Sequence, residues 1–200
     1  VPQFKAQPFS IAPRLETPEA QHKALFFIAG FTAFCAFGAF SLFASLSPSF
    51  VKDLIPWHGP LVSGAAISSI LLISALVQFF AKNLTAAKSL TLGLMTLLLS
   101  FILLGLCMSM QWSTLFFISD ILVGVGHGLG LLGAFGLIHQ MTSADNRAAV
   151  MSTYLFIGYL GTIVPIIAVG YLADHFGLTI GVLGFCIGVG LLCIALLVWY

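Results

Sequence analysis

The sequence predicts an all-α integral membrane protein with six transmembrane helices, and three observations carry that expectation. Only 6% of the 200 residues are charged and 60% are hydrophobic, with a mean hydropathy of +1.13. A soluble domain carries about 25% charged residues to wet its surface, so the solvent expected for this chain is lipid. The apolar residues gather into six runs, about 24–47, 60–80, 89–110, 112–140, 148–173 and 177–200. Each has roughly the 20 residues that cross about 30 Å of hydrocarbon. None alternates with the period of a barrel strand, and each is too long for one.

The first element is polar. Residues 1–23 hold Pro2, Pro8, Pro13 and Pro18 together with Lys5, Arg14, Glu16 and Glu19. They read as a cytoplasmic linker and contain no apolar core of a secretory signal. The chain begins at Val1, its first methionine is Met95, and it stops at Trp199-Tyr200 in an apolar run. These features lead us to expect a fragment or processed piece, a tethered six-helix domain over 24–200 with something upstream.

Lysine and arginine orient the spans, because positive residues stay on the cytoplasmic side. With the N-terminus inside, Lys5, Arg14, Lys23, Lys82, Lys88 and Arg147 fall on the inner face and Lys52 alone on the outer one. Both termini are therefore expected in the cytoplasm, with a bacterial cell (inner) membrane as the expected location. The sequon Asn83-Leu84-Thr85 then lies inside and should stay unmodified. A net charge of +1 argues against a nucleic-acid binder that works by phosphate neutralisation. Cys35, Cys107, Cys186 and Cys193 all sit in apolar runs and imply neither a disulfide framework nor a metal site; no cofactor is expected.

Span one carries phenylalanine at 31, 34, 37, 40 and 43. A three-residue step falls about 60° short of a turn, so these rings should wind around the helix, toward lipid and neighbours, with one or two available as a substrate wall. Phe34, Phe37 and Ser41 here, Gln78 in span two and Tyr154 in span five are the polar or aromatic candidates for lining a cavity.

Spans five and six carry small residues at contact spacing: Gly158, Gly161, Pro165 and Ala168 in one, Gly177, Gly181, Gly184 and Gly188 in the other. These stripes predict close packing between the two helices. Pro165 also frees the Gly161 carbonyl and predicts a bend, which serves gating or packing. Span four holds Gly124, Gly126, Gly128, Gly130, Gly133 and Gly136, a flexible helix unless neighbours clamp it. Its GxGxxG match, Gly128 to Gly133, follows no strand and is no nucleotide fingerprint.

Asp120 and His127 are the unusual pair. They lie seven residues apart in span four, on nearly one face, about 10 Å apart in depth with His127 near the midplane. An ionised side chain at mid-bilayer costs at least about 2.5–3.5 kcal/mol, so both should face protein or a hydrated cavity. An imidazole titrates near neutral pH and a carboxylate close by can exchange or compensate its proton. The functional expectation is a proton-coupling or substrate-contacting pair. The alternative is a satisfied core histidine and a buried aspartate bonded to a neighbouring helix's hydroxyl.

At Arg147–Gly177, RAAVMSTYLFIGYLGTIVPIIAVGYLADHFG, the chain resembles the major facilitator superfamily of transporters. The starting arginine, Tyr159-Leu160-Gly161, Pro165 and the closing Gly170-x-x-x-Asp174-x-x-Gly177 are similar to that family's eleventh helix and the turn after it. The partial copy GYLADHFG lies between spans five and six, on the predicted outer side, whereas the family's fuller signature joins its second and third helices. The resemblance implies the C-terminal six-helix half, helices seven to twelve, built as two inverted three-helix repeats. It also implies alternating access, with Gly158, Gly161, Pro165, Gly170, Asp174 and Gly177 in packing or gating roles.

The expected function is secondary active transport of a small solute, proton-coupled through Asp120 and His127. The expected partners are that solute, the lipid bilayer, and an N-terminal six-helix half or a second copy. One rival is a stand-alone six-helix protein that homodimerises into a carrier or pore. An enzyme is not expected: Ser63-Gly64 lacks the first glycine of a membrane serine-protease motif, and haem ligation needs deep histidines on two helices.

Overall fold

The computed structural model describes the backbone of residues 15–54 and 60–200, and their side chains except 46–54, 60, 62 and 63. Among the described residues every regular element is helical. A 3-10 turn, Ala20–His22, leads into α1 (Lys23–Leu54), then α2 (Pro60–Phe80), α3 (Ala86–Met110), α4 (Ser113–Met141), α5 (Arg147–Phe176) and α6 (Leu178–Trp199). Among them Ala20–Ser45 and the whole of α3, α4, α5 and α6 are long and apolar enough to cross a membrane, the mark of a multi-pass membrane protein. The described apolar part of α2, Gly64–Phe80, is shorter.

Two helix ends depart from the apolar runs. The backbone of α1 continues through the expected break at Ser47-Pro48 to Leu54. Within a bundle, a proline need not end a helix, because neighbours can satisfy the carbonyl it frees. At the other turn, Asp174 and His175 belong to the last turn of α5 and not to a loop. There His175 Nδ1 lies 2.8 Å from the Tyr171 carbonyl, and the Gly177 N–H donates to the Ala173 carbonyl at 2.9 Å. Gly177, at φ 91°, is the single residue that turns α5 into α6, a conformation side-chain-bearing residues rarely adopt. Of the expected linker, residues 1–14 with Pro2, Pro8 and Pro13 lie outside the described residues. The described remainder is fastened to α5 by a hydrogen bond from Thr153 Oγ1 to the Glu16 carbonyl, 2.7 Å.

The helices form a closed chain of contacts in which α1 and α4 occupy the middle. Helix α4 packs on α3, α2 and α1; α1 packs on α5, α4 and α2; and α6 bridges α3 and α5. Burial follows this order: 67% of the apolar window of α4 is covered, against 17% of that of α5. The glycines of α4 are what its neighbours clamp. Gly126, Gly130 and Gly133 meet α3 at Leu97, Gly93 and Leu90, while Gly124 and Gly128 meet α2 at Ile73 and Ser74. A Cβ on Gly128 would stand 2.7 Å from the Ser74 carbonyl oxygen, inside any permissible contact. Where lipid removes the hydrophobic drive between helices, this close backbone approach supplies the packing.

The small residues of α5 work differently from the expected pairing with α6. Gly158 faces Phe37 and Ala33, and Gly161 meets the backbone of Phe34, so these two glycines seat α5 on α1. Contact with α6 comes from Gly181 against Val169 and Ala173, and from Gly184 against Leu172. Gly170, Gly177 and Gly188 have no atom within 4 Å of a built Cβ, so packing does not require glycine there. A stripe read on one helix does not say which neighbour it addresses, and here the central position of α1 decides.

Gly133→Ala and Gly188→Ala separate these cases. A Cβ at 133 collides with the Leu90 amide and lies 2.7 Å from the Ala86 carbonyl, so α3 must move away. This should cost about 1–3 kcal/mol and lower the melting temperature of the detergent-solubilised protein followed by circular dichroism. The same change at Gly188 meets open space and should leave melting unchanged or raise it slightly, since alanine favours a helix by about 1 kcal/mol.

Candidate functional site

Asp120, Gly124, His127 and Gly128 share one face of α4, the 3.6-residue repeat returning them to the same side. That face meets α2, which runs in the same direction. The glycines bring the two backbones together and the two polar side chains each find a serine. Ser69 Oγ lies 2.6 Å from Asp120 Oδ2, and Ser74 Oγ lies 2.9 Å from His127 Nδ1. Gln78 Nε2 donates to Ser74 Oγ at 3.2 Å. With that lone pair filled, the Ser74 hydrogen can serve Nδ1, an arrangement that suits a neutral imidazole protonated on Nε2.

Both α4 groups are withdrawn from the surface, at 4% exposure for Asp120 and 6% for His127. The cost of bare ionised groups in hydrocarbon is thus met by burial inside the bundle. Between them, a Cβ on Gly124 would lie 2.8 Å from Ile73 Cβ and 3.1 Å from the Ile70 carbonyl. The two polar contacts are therefore separate compartments of one interface, divided by a tight apolar contact. Asp120 Oδ1 is enclosed and has no hydrogen-bond partner among the described residues.

Aromatic rings from α1 complete the surroundings of His127. The rings of Phe37 and Phe40 lie 5.7 and 6.1 Å from the imidazole, and Tyr159 of α5 stacks on Phe37 at 5.5 Å. Phe31, Phe34, Phe37 and Phe40 are all half-buried, whereas Phe43 enters the core against Phe116 at 5.2 Å. The winding series thus leaves a continuous half-covered aromatic strip along α1, with His127 beside its outer half.

The remaining expected lining residues divide. Gln78 is part of the histidine network. Ser41 is half-buried and its hydroxyl donates to the Thr162 carbonyl at 3.4 Å, next to the Gly161 carbonyl that Pro165 leaves without its helical donor. Tyr154 is wholly buried, its ring 5.3 Å from Phe135 and its hydroxyl enclosed without a partner among the described residues, so it lines no open surface in this conformation. Asp174 is exposed at the end of α5. Among the described residues no group of three or more histidine, cysteine or acidic side chains is placed to hold a metal ion.

Ser69 and Ser74 were not singled out from the sequence, and Phe40 and Tyr159 entered only within the phenylalanine series and the stretch that carries the resemblance, not as lining residues. The two serines had one usable signal: with Gln78 they are polar residues of a single apolar run, at intervals of five and four. No family model, curated protein or solved structure matches the chain.

Two substitutions test the hydrogen-bond assignments through stability. Ser74→Ala strands Nδ1 of His127 in a buried place and frees the half-buried Gln78 amide, a loss of about 1–3 kcal/mol. Tyr154→Phe removes a hydroxyl that has no partner among the described residues, so stability should be unchanged or higher. Thermal unfolding in one detergent, read by tryptophan fluorescence, ranks the two variants against the parent.

Proposed function

We propose that this chain is the C-terminal six-helix half of a major-facilitator-type transporter, moving a small solute by alternating access with proton coupling through Asp120 and His127. The observation that carries the reading is the α2–α4 interface. It holds a buried carboxyl and a buried imidazole, each tied to one serine of α2, as a satisfied core pair would also be; what favours function is the half-covered aromatic strip beside them. Buried ionisable groups are costly in a membrane protein and concentrate where ions, protons or substrates pass. Polar contacts that both join the same two helices make the position of α2 against α4 sensitive to the charge on either group. The small cover on α5 supports a second bundle, an N-terminal half or another copy, packed against its apolar face.

In this reading the inner face carries Lys23, Lys82, Lys88 and Arg147, both ends lie in the cytoplasm, and the host membrane is a bacterial cell membrane. The strip of Phe34, Phe37 and Phe40 with Tyr159 offers a solute apolar contact, and His127 and Gln78 offer it hydrogen bonds.

Proteoliposomes carrying the protein, co-expressed with an upstream six-helix half where its gene encodes one, test the proposal. They would be loaded with a pH-sensitive dye and offered sugars, organic acids and lipophilic drugs in turn. A transported solute should drive a proton flux in the parent, and that flux should fall at least about tenfold in His127→Ala and Asp120→Asn. Uptake whose pH dependence is unchanged in His127→Ala would overturn the coupling. The absence of flux for every solute class would overturn transport.

A further inference from the structure

Ser69 has one hydrogen and two acceptors. Its hydroxyl oxygen lies 2.7 Å from the Ala66 carbonyl on α2 and 2.6 Å from Asp120 Oδ2 on α4. Each separation is that of a full O–H···O hydrogen bond, and a single shared hydrogen would lengthen at least one of them. Two short contacts need two hydrogens, and among the described residues the other group placed to supply one is the carboxyl of Asp120. The second carboxyl oxygen agrees: Oδ1 is enclosed and accepts no bond from the described residues. A carboxylate spreads its charge over both oxygens and wants donors at each, and among the described residues no ion pair reaches Asp120. A neutral acid has no such demand at its carbonyl oxygen.

We propose that Asp120 is a proton-binding site whose occupied form is the one in this structure, with Ser69 as its positioning residue. The proton rests on Oδ2 and is donated to Ser69 Oγ, and Ser69 donates its own hydrogen to the Ala66 carbonyl. Binding takes one proton from water onto the carboxylate, and no other bond is made or broken. This deepens the transport reading and rests on it only for the use to which the proton is put.

The surroundings leave the task to these residues. Helix α2 presents Ser69 to Asp120 and carries no charged residue. The described cations Lys23 of α1, Lys88 of α3 and Arg147 of α5 stand at the ends of their helices that lie near the C-terminal end of α4, and Asp120 is near its N-terminal end. Cys107 of α3 reaches the backbone of Phe116. His127 is bonded to Ser74, beyond the Gly124–Ile73 contact. Loss of the proton would leave one hydrogen for two acceptors, so either the Ser69–Asp120 or the Ser69–Ala66 contact must open. Proton release is thereby tied to a rearrangement between α2 and α4.

Infrared spectroscopy of the purified protein in lipid nanodiscs reads the site directly. At neutral pH the parent should show a carboxylic-acid C=O band that disappears in Asp120→Asn. In Ser69→Ala the band should persist and move to higher wavenumber, because the acid O–H has lost its acceptor. Should Asp120→Asn fail to fold, labelling aspartate with 13C at the side-chain carboxyl identifies the band in the parent by its isotope shift. No aspartic-acid band at neutral pH, or a band unmoved by Ser69→Ala, overturns the proposal. Either result leaves solute transport standing with His127 as the remaining titrating group. A band that behaves as expected in a protein without solute flux would keep the proton site and remove the transporter.

Discussion

Backbone-to-backbone approach at α4 is the constraint on which the rest depends. Side chains longer than a hydrogen atom at Gly93, Gly126 and Gly133 would part α3 from α4, and at Gly124 and Gly128 would part α2 from α4. A serine hydroxyl extends only a short way from its own backbone, so Ser69 and Ser74 reach Asp120 and His127 only because α2 is held close. The glycines are thus part of the polar chemistry as much as of the packing. Together they make α4 a rail with two sides, one closed against α3 and the other bearing the acid and the imidazole toward α2.

The helical organisation was legible because hydropathy over about 20 residues is a summed property, insensitive to any single position. Its precise ends were not. Residues such as Ser47-Pro48 and Asp174-His175 look like breaks, but a helix runs on wherever local carbonyls are satisfied, as at Tyr171 and Ala173. The placement of Asp120 and His127 in the interior was also legible, because exposing them to hydrocarbon is so costly. Their partners were not, since serine occurs throughout these helices and only the register of α2 against α4 selects Ser69 and Ser74. The aromatic series on α1 shows the same limit. Its three-residue step predicts winding, yet which sector of α1 stays uncovered is decided by where α2, α4 and α5 lie. Tyr154, an aromatic with a polar tip, resembled a lining residue in sequence and is instead sealed against Phe135.

The two compartments on α4 have different chemistry although they share the same pair of helices. At His127 every polar atom of the chain Gln78–Ser74–Nδ1 can be satisfied with an uncharged imidazole, and the ring edge is flanked by Phe37 and Phe40. At Asp120 the hydrogen count is short by one unless the acid itself contributes. A neutral state at both places removes the charge that the bundle interior could not stabilise, since no described cation pairs with either group. It follows that any event adding charge at one of them raises the energy of this particular seating of α2. The favourable response is to admit water or a counter-charge by loosening the Ser69 or Ser74 contact; the contacts of α3 with the rail, glycine packing and the hydroxyl-to-carbonyl bonds of Ser89 and Ser119 among them, have no such dependence on charge. Both sides of α4 are closely packed through glycine, and among the described residues it is the α2 side that also carries contacts dependent on charge.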